Sequence, residues 1–128
     1  MKKCQMIVCI VDISGFARIC CKKSDEQVFE MLNKFYILVE KIISEVDGKV
    51  VKFMGDSALI VFEPEKENSA KQALQDLKTR SDEIWRDFGA ECNLNIKSDI
   101  CHLACGEMGL EKRFDVVGND LNKLFMRK

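Results

Sequence analysis

The chain carries no surplus of charge: 20 basic residues stand against 21 acidic ones, for a net charge of −1. No positive field gathers a polyanion, so nucleic acid is not an expected partner. It has no CxxC pair, and its seven cysteines are an odd number. That excludes a complete disulfide framework and a zinc ribbon, and points to reduced thiols in a cytosolic setting. It has a single histidine. On an extended strand Cys101 and Cys105 share a face while His102 takes the other, so the three do not converge on zinc. Long hydrophobic runs are missing as well. "MIVCIV" and "ALIVF" are of strand length, far short of a membrane span, and "MKKCQ" enters the first with no signal-peptide pattern. The expectation is a soluble cytoplasmic chain with no direct membrane contact. Without repeat, linker or low-complexity tract, the 128 residues read as one domain, 1–128, with a modest core.

What is present is an alternation of two periods. Residues 5–12, "QMIVCIVD", read as a buried strand, and "ISGF" as a tight turn after it. Ser24 and Gln27 form a capping box, after which Val28, Met31, Leu32, Phe35, Leu38, Val39, Ile42 and Ile43 repeat at helical spacing until Asp47-Gly48. Strands follow at 49–54 and 57–62, joined at Gly55-Asp56, with Pro64 ending the second. A second helix is expected over Ser69–Phe88, burying Trp85, and a long strand over 93–105. "RFDVVG" is strand-like, and "NDLNKLFMRK" has Leu121, Leu124 and Phe125 at helical spacing. This order predicts an α+β, ferredoxin-like (split βαβ) fold, an antiparallel sheet with helices on one face.

In that plan the first strand lies beside the hairpin, so Asp12 and Asp56 come to one end of the sheet. Two facing acids need a cation, and oxygen ligands without histidine suit Mg²⁺ or Mn²⁺. The turn Ser14-Gly15-Phe16 beside Asp12 can aim backbone amides at phosphates.

The stretches "VDISGF", "VVKFMGDSALIVF", "CGEMG" and "FDVVGNDLN" resemble, in order and separation, the class III nucleotidyl cyclase catalytic domain. That resemblance implies that Asp12, Asp56 and the Ile13 carbonyl hold two divalent ions, which activate the ribose 3′-hydroxyl and steady the triphosphate. It implies that Lys52 and Asp115 read the purine. A lysine donating to N1 and an aspartate accepting from the 6-amino group suit adenine, and guanine presents the opposite polarity. Asn122 matches the residue that orients the ribose, and Lys112 or Arg113 would supply a triphosphate cation. The implied activity is conversion of ATP to cyclic AMP and pyrophosphate, in composite sites of a homodimer.

The chain also departs from the family pattern. The family's transition-state arginine, four residues after the ribose asparagine, falls on Met126, and Arg127 stands one step, about 100°, further round a helix. Ala17 replaces a hydroxyl residue, "NIKSDIC" replaces a glycine-rich strand start, and the sequence stops at Lys128 where the family adds strands. A short or fragmentary domain is implied, and with it a second reading: a weak or inactive cyclase homology domain that binds nucleotide and dimerises. A diguanylate cyclase needs a GG(D/E)EF hairpin that "EVDGKVVKF" does not supply.

Overall fold

The computed structural model describes residues 1–127. A five-stranded antiparallel sheet has the order β2-β3-β1-β4-β5, where β1 is Lys2–Ser14, β2 Lys49–Met54, β3 Ser57–Phe62, β4 Asn93–Met108 and β5 Arg113–Val117. The helices are α1, Phe16–Lys22; α2, Asp25–Glu45; α3, Glu67–Asp87; and α4, Asn119–Met126. The expected ferredoxin-like plan is present.

The central strand explains its own composition. β1 pairs with β3 from Ile7↔Phe62 to Asp12↔Ser57 and with β4 from Lys2↔Cys105 to Ser14↔Asn93. Both of its faces are covered, so it reads as an unbroken apolar run. Ile7, Cys9, Val11 and Ile13 join Met31, Phe35, Val39, Leu77 and Trp85 in one core. Val8 and Ile10 join Leu59, Val61, Leu103 and Val116 in another. α2 starts where its capping box predicts: the Gln27 amide donates to Ser24 Oγ at 3.2 Å, and the Ser24 amide to Gln27 Oε1 at 3.0 Å.

The structure corrects this plan at one point and adds to it at two. The helices do not all share one face: α2 and α3 do, but Leu121 and Leu124 of α4 pack into the second core. The residues that follow the turn at Gly15, to which the sequence assigns no element, form helix α1, which sets Ile19 into the first core. The sulfurs of Cys4 and Cys105 come together across β1 and β4, and the other five cysteines stand apart as free thiols. The physical reason is strand length. β1 begins at Lys2 and β4 runs to Met108, so their ladder reaches Lys2↔Cys105 and makes Cys4 and Cys105 diagonal neighbours.

The sheet is strongly curled. β2 and β5 are its two edges, and a flat sheet would hold them about 19 Å apart, four strand spacings. Instead Lys52 Nζ lies 3.0 Å from Asp115 Oδ2, and Lys49 Nζ lies 3.9 Å from the ring centre of Phe114. The second core is wrapped inside that curl.

α4 is tied to β4 at both ends. The His102 amide donates to Asp120 Oδ2 at 2.9 Å, and Lys97 Nζ donates to the Phe125 carbonyl at 3.1 Å. Close approach at its start requires glycine: a Cβ on Gly118 would sit 2.9 Å from the His102 carbonyl oxygen, which is backbone. Gly118→Ala is therefore expected to push α4 off β4 at a cost of about 1–3 kcal/mol. A thermal melt should show a fall of several degrees.

Candidate active site

Asp12 and Asp56 meet at one end of the sheet. Asp12 stands opposite Ser57 in the β1–β3 ladder, and the Ile13 amide donates to the Asp56 carbonyl at 3.0 Å. Gly55 takes φ +64°, with nothing near the position of a Cβ, so the β2–β3 turn can place Asp56 against β1. Both aspartates are half-buried. Neither enters an ion pair among the described residues. Two neighbouring carboxylates without a counter-charge fit a hard divalent cation. No group of three or more His, Cys, Asp or Glu able to hold a metal occurs among the described residues. Hard carboxylate oxygens suit magnesium, which takes one or two of them and completes its shell with water and phosphate, better than zinc.

Beside Asp12, Ser14 ends β1, Gly15 takes φ +84°, and Phe16 opens α1. The first amides of a helix have no intrahelical acceptor, so this turn presents free donors next to the carboxylates. Arg18, which no motif in the sequence singles out, folds back onto it: a Cβ on Gly15 would lie 2.9 Å from Arg18 Nη2.

Tyr36 also escapes the sequence pattern, because only its neighbours fit the apolar stripe of α2. Its hydroxyl donates to the Gly55 carbonyl at 2.5 Å, and its ring stacks on Phe53 with centres 3.9 Å apart. Burial, and secondarily the Asp56 carboxylate, push its pKa above the usual tyrosine value, so it remains a donor.

The second group of residues sits across the curl. Lys52 Nζ donates to Asp115 Oδ2 at 3.0 Å, and Asp115 Oδ1 accepts the Val116 amide at 2.8 Å. The lysine is about half-exposed and the aspartate more covered, at 46% and 24%. Lys52 is opposite Leu59, which is opposite Ile10. Lys52 is thus two strands and two residues from Asp12, on the order of 12 Å between backbones. Asn122 is exposed on α4, next to buried Leu121. Lys112 has φ +51° before β5, and Arg113 pairs with Glu111; both cations are exposed.

Arg127 is engaged elsewhere. Its Nη2 lies 2.6 Å from Asp99 Oδ2, and Nη1 donates to the Ser98 carbonyl at 3.4 Å. The Arg127 hydrogen bond, followed by that of the Ile100 amide, holds the Asp99 carboxyl below its usual pKa. Asp99 is opposite Val8, four residues or about 13 Å along β1 from Asp12. Met126 is 79% exposed. The sequence thus anticipates two clusters, Asp12 with Asp56 and Lys52 with Asp115, and the structure forms both. It does not bring Arg127 to either.

No helix among the described residues is long and apolar enough to cross a membrane. The model of the adenylate and guanylate cyclase catalytic domain family matches residues 2–123. An uncharacterized protein of Mycobacterium tuberculosis is 27% identical over 120 residues, covering 91% of this chain and 21% of its own length. The chain thus spans about a fifth of that relative. The crystal structure of the guanylyl cyclase Cya2 superposes with a TM-score of 0.88 at 20% identity, over 98% of this chain and 69% of that one. A bacterial light-regulated adenylyl cyclase gives 0.86 at 21% identity, over 97% and 39%.

Proposed function

The chain belongs to the adenylate and guanylate cyclase catalytic domain family, and we propose that it is a cytoplasmic adenylate cyclase working as a homodimer. The observation that carries the choice of adenine is the Lys52–Asp115 pair, 3.0 Å apart. Its ammonium can donate to N1 and its carboxylate can accept from the 6-amino group. Guanine, with N1–H and a 6-carbonyl, would meet a donor with a donor and an acceptor with an acceptor.

Asp12, Asp56 and the Ile13 carbonyl would hold Mg²⁺ or Mn²⁺. When bound, two such ions lower the pKa of the 3′-hydroxyl and offset charge on the triphosphate. The chain's own groups bind and orient. The turn Ser14-Gly15-Phe16, with the free amides that open α1 and with Arg18, faces the phosphates, Lys112 or Arg113 adds charge, and Asn122 holds the ribose so that its 3′-oxygen aligns with the α-phosphorus. That oxygen forms the new P–O bond as the bond to pyrophosphate breaks. The backbone separation of about 12 Å between Asp12 and Lys52 supports a composite arrangement, in which the metal residues of one protomer face the base-reading residues of the other. Exposed Ile100, Met108 and Val117 offer apolar surface for that partner.

A second reading, a homology domain that binds nucleotide and turns over poorly, is favoured by the Asp99–Arg127 ion pair and the methionine at 126. One assay separates the two: product formed from ATP and from GTP, with Mg²⁺ or Mn²⁺, over a range of protein concentrations. Cyclic AMP with specific activity rising with concentration is the expected result, and Lys52→Ala should lower kcat/KM for ATP about ten- to hundredfold, the loss of a charged hydrogen bond. A preference for GTP would sink the adenine assignment. Metal-dependent nucleotide binding without product would favour the homology-domain reading.

A further inference from the structure

We propose that Tyr36 is a positioning residue for the divalent-cation site: its hydroxyl grips the Gly55 carbonyl and keeps the turn that carries Asp56 against Asp12. The inference rests on the metal reading of those two aspartates.

The β2–β3 turn needs such a grip. β2 is an edge strand, so it has one hydrogen-bonded neighbour, and its ladder with β3 is broken by an irregularity between Val50 and Lys52. The tip stands open, with nothing within 4 Å of a Cβ position on Gly55. Ser57 Oγ donates to the Met54 carbonyl at 3.1 Å, a bond inside the turn that does not fix it to the rest of the protein. Two bonds do. The Ile13 amide holds the Asp56 carbonyl from β1 at 3.0 Å, and Tyr36 holds the Gly55 carbonyl from α2 at 2.5 Å.

Tyr36 is suited to this because its base is rigid. The preceding residue, Phe35, is fully buried, and the Tyr36 ring lies nearly parallel to Phe53, at 14°, with centres 3.9 Å apart. The ring fixes β2 to α2 through apolar contact, and the hydroxyl then fixes the backbone beside the ligand. Consecutive peptide groups share a Cα, so freeing the Gly55 carbonyl lets Asp56 swing. A ligand pair that must be ordered on binding holds its cation less tightly.

Tyr36→Phe removes the hydroxyl and keeps the stack. Mn²⁺ binding, followed by electron paramagnetic resonance of free Mn²⁺, is expected to weaken about three- to tenfold, as the loss of one hydrogen bond would give. In turnover assays the metal concentration for half-activity should rise by the same factor, while the rate at saturating metal stays near that of the parent. Leu74→Ala, in the same core but beside Ile7, five residues along β1 from Asp12, controls for loss of stability; Asp56→Asn controls for the site. Unchanged Mn²⁺ affinity in Tyr36→Phe, with affinity lost in Asp56→Asn, would overturn the role of Tyr36 and leave the metal site standing. Equal weakening in Leu74→Ala would overturn it too, as a stability effect. Unchanged affinity in Asp56→Asn would overturn the metal reading itself, and the inference with it.

Discussion

Asp12→Asn or Asp56→Asn is expected to reduce cyclic nucleotide formation about a thousandfold, the scale on which phosphoryl-transfer sites depend on their charge-neutralising parts. Asparagine preserves the shape of each side chain and removes the negative charge that a cation requires. The loss should come without a loss of fold. Neither carboxylate enters an ion pair among the described residues, and the bonds that dock the turn use main-chain oxygens, of Asp56 and Gly55. The melting temperature of each variant should stay within the range of ordinary surface substitutions, about 0.5 kcal/mol. Retained turnover in either variant would mean that these acids do not carry the chemistry. A collapsed melt would mean that they hold the fold.

The contrast with Lys52→Ala separates two functions of one hairpin. Lys52 and Asp56 are four residues apart in the sequence, yet one is assigned to the base and the other to the metal. The first substitution is expected to act on nucleotide choice and the second on any nucleotide.

How much of the fold and site is legible in the sequence depends on range. The capping box at Ser24 and Gln27, the unbroken apolar run of β1 and the Gly55-Asp56 turn are local signals, and each forms where local chemistry places it. α1 escapes because seven residues are too few to establish a helical period, and the glycine before them reads as a turn. Tyr36 is invisible for another reason: its partner is 19 positions away, and nothing in the helix pattern marks a residue whose task lies off the helix. The meeting of Lys52 with Asp115 needs the sheet to curl until its edges touch. Alternation in single strands does not encode that, so the pair comes from resemblance to a family. The meeting of Cys4 with Cys105 depends on strand ends, and the strands read at 5–12 and 93–105 stop short of those ends.

Met126→Arg is expected to raise kcat about ten- to a thousandfold with little change in KM for ATP, because a cation at that position acts on charge that develops in the transition state. The substitution is cheap for the fold, since Met126 is 79% exposed. Arg127 does not serve in its place. It follows the last residue of α4 in extended backbone, and its guanidinium is bound to Asp99 and the Ser98 carbonyl. That restraint is weak: with 48% and 57% of the two side chains exposed, the pair contributes at most about 1 kcal/mol. Asp99→Asn should therefore release Arg127 easily, and the direction in which Arg127 points then sets the rate. If its place beyond the end of α4 is what keeps Arg127 from the site, Asp99→Asn leaves the rate near its starting value while Met126→Arg raises it. If instead Arg127→Ala lowers the rate by orders of magnitude, Arg127 leaves Asp99 on dimerisation and bends round to the phosphates. The exposed, inexpensive ion pair is then the resting position of a catalytic arginine.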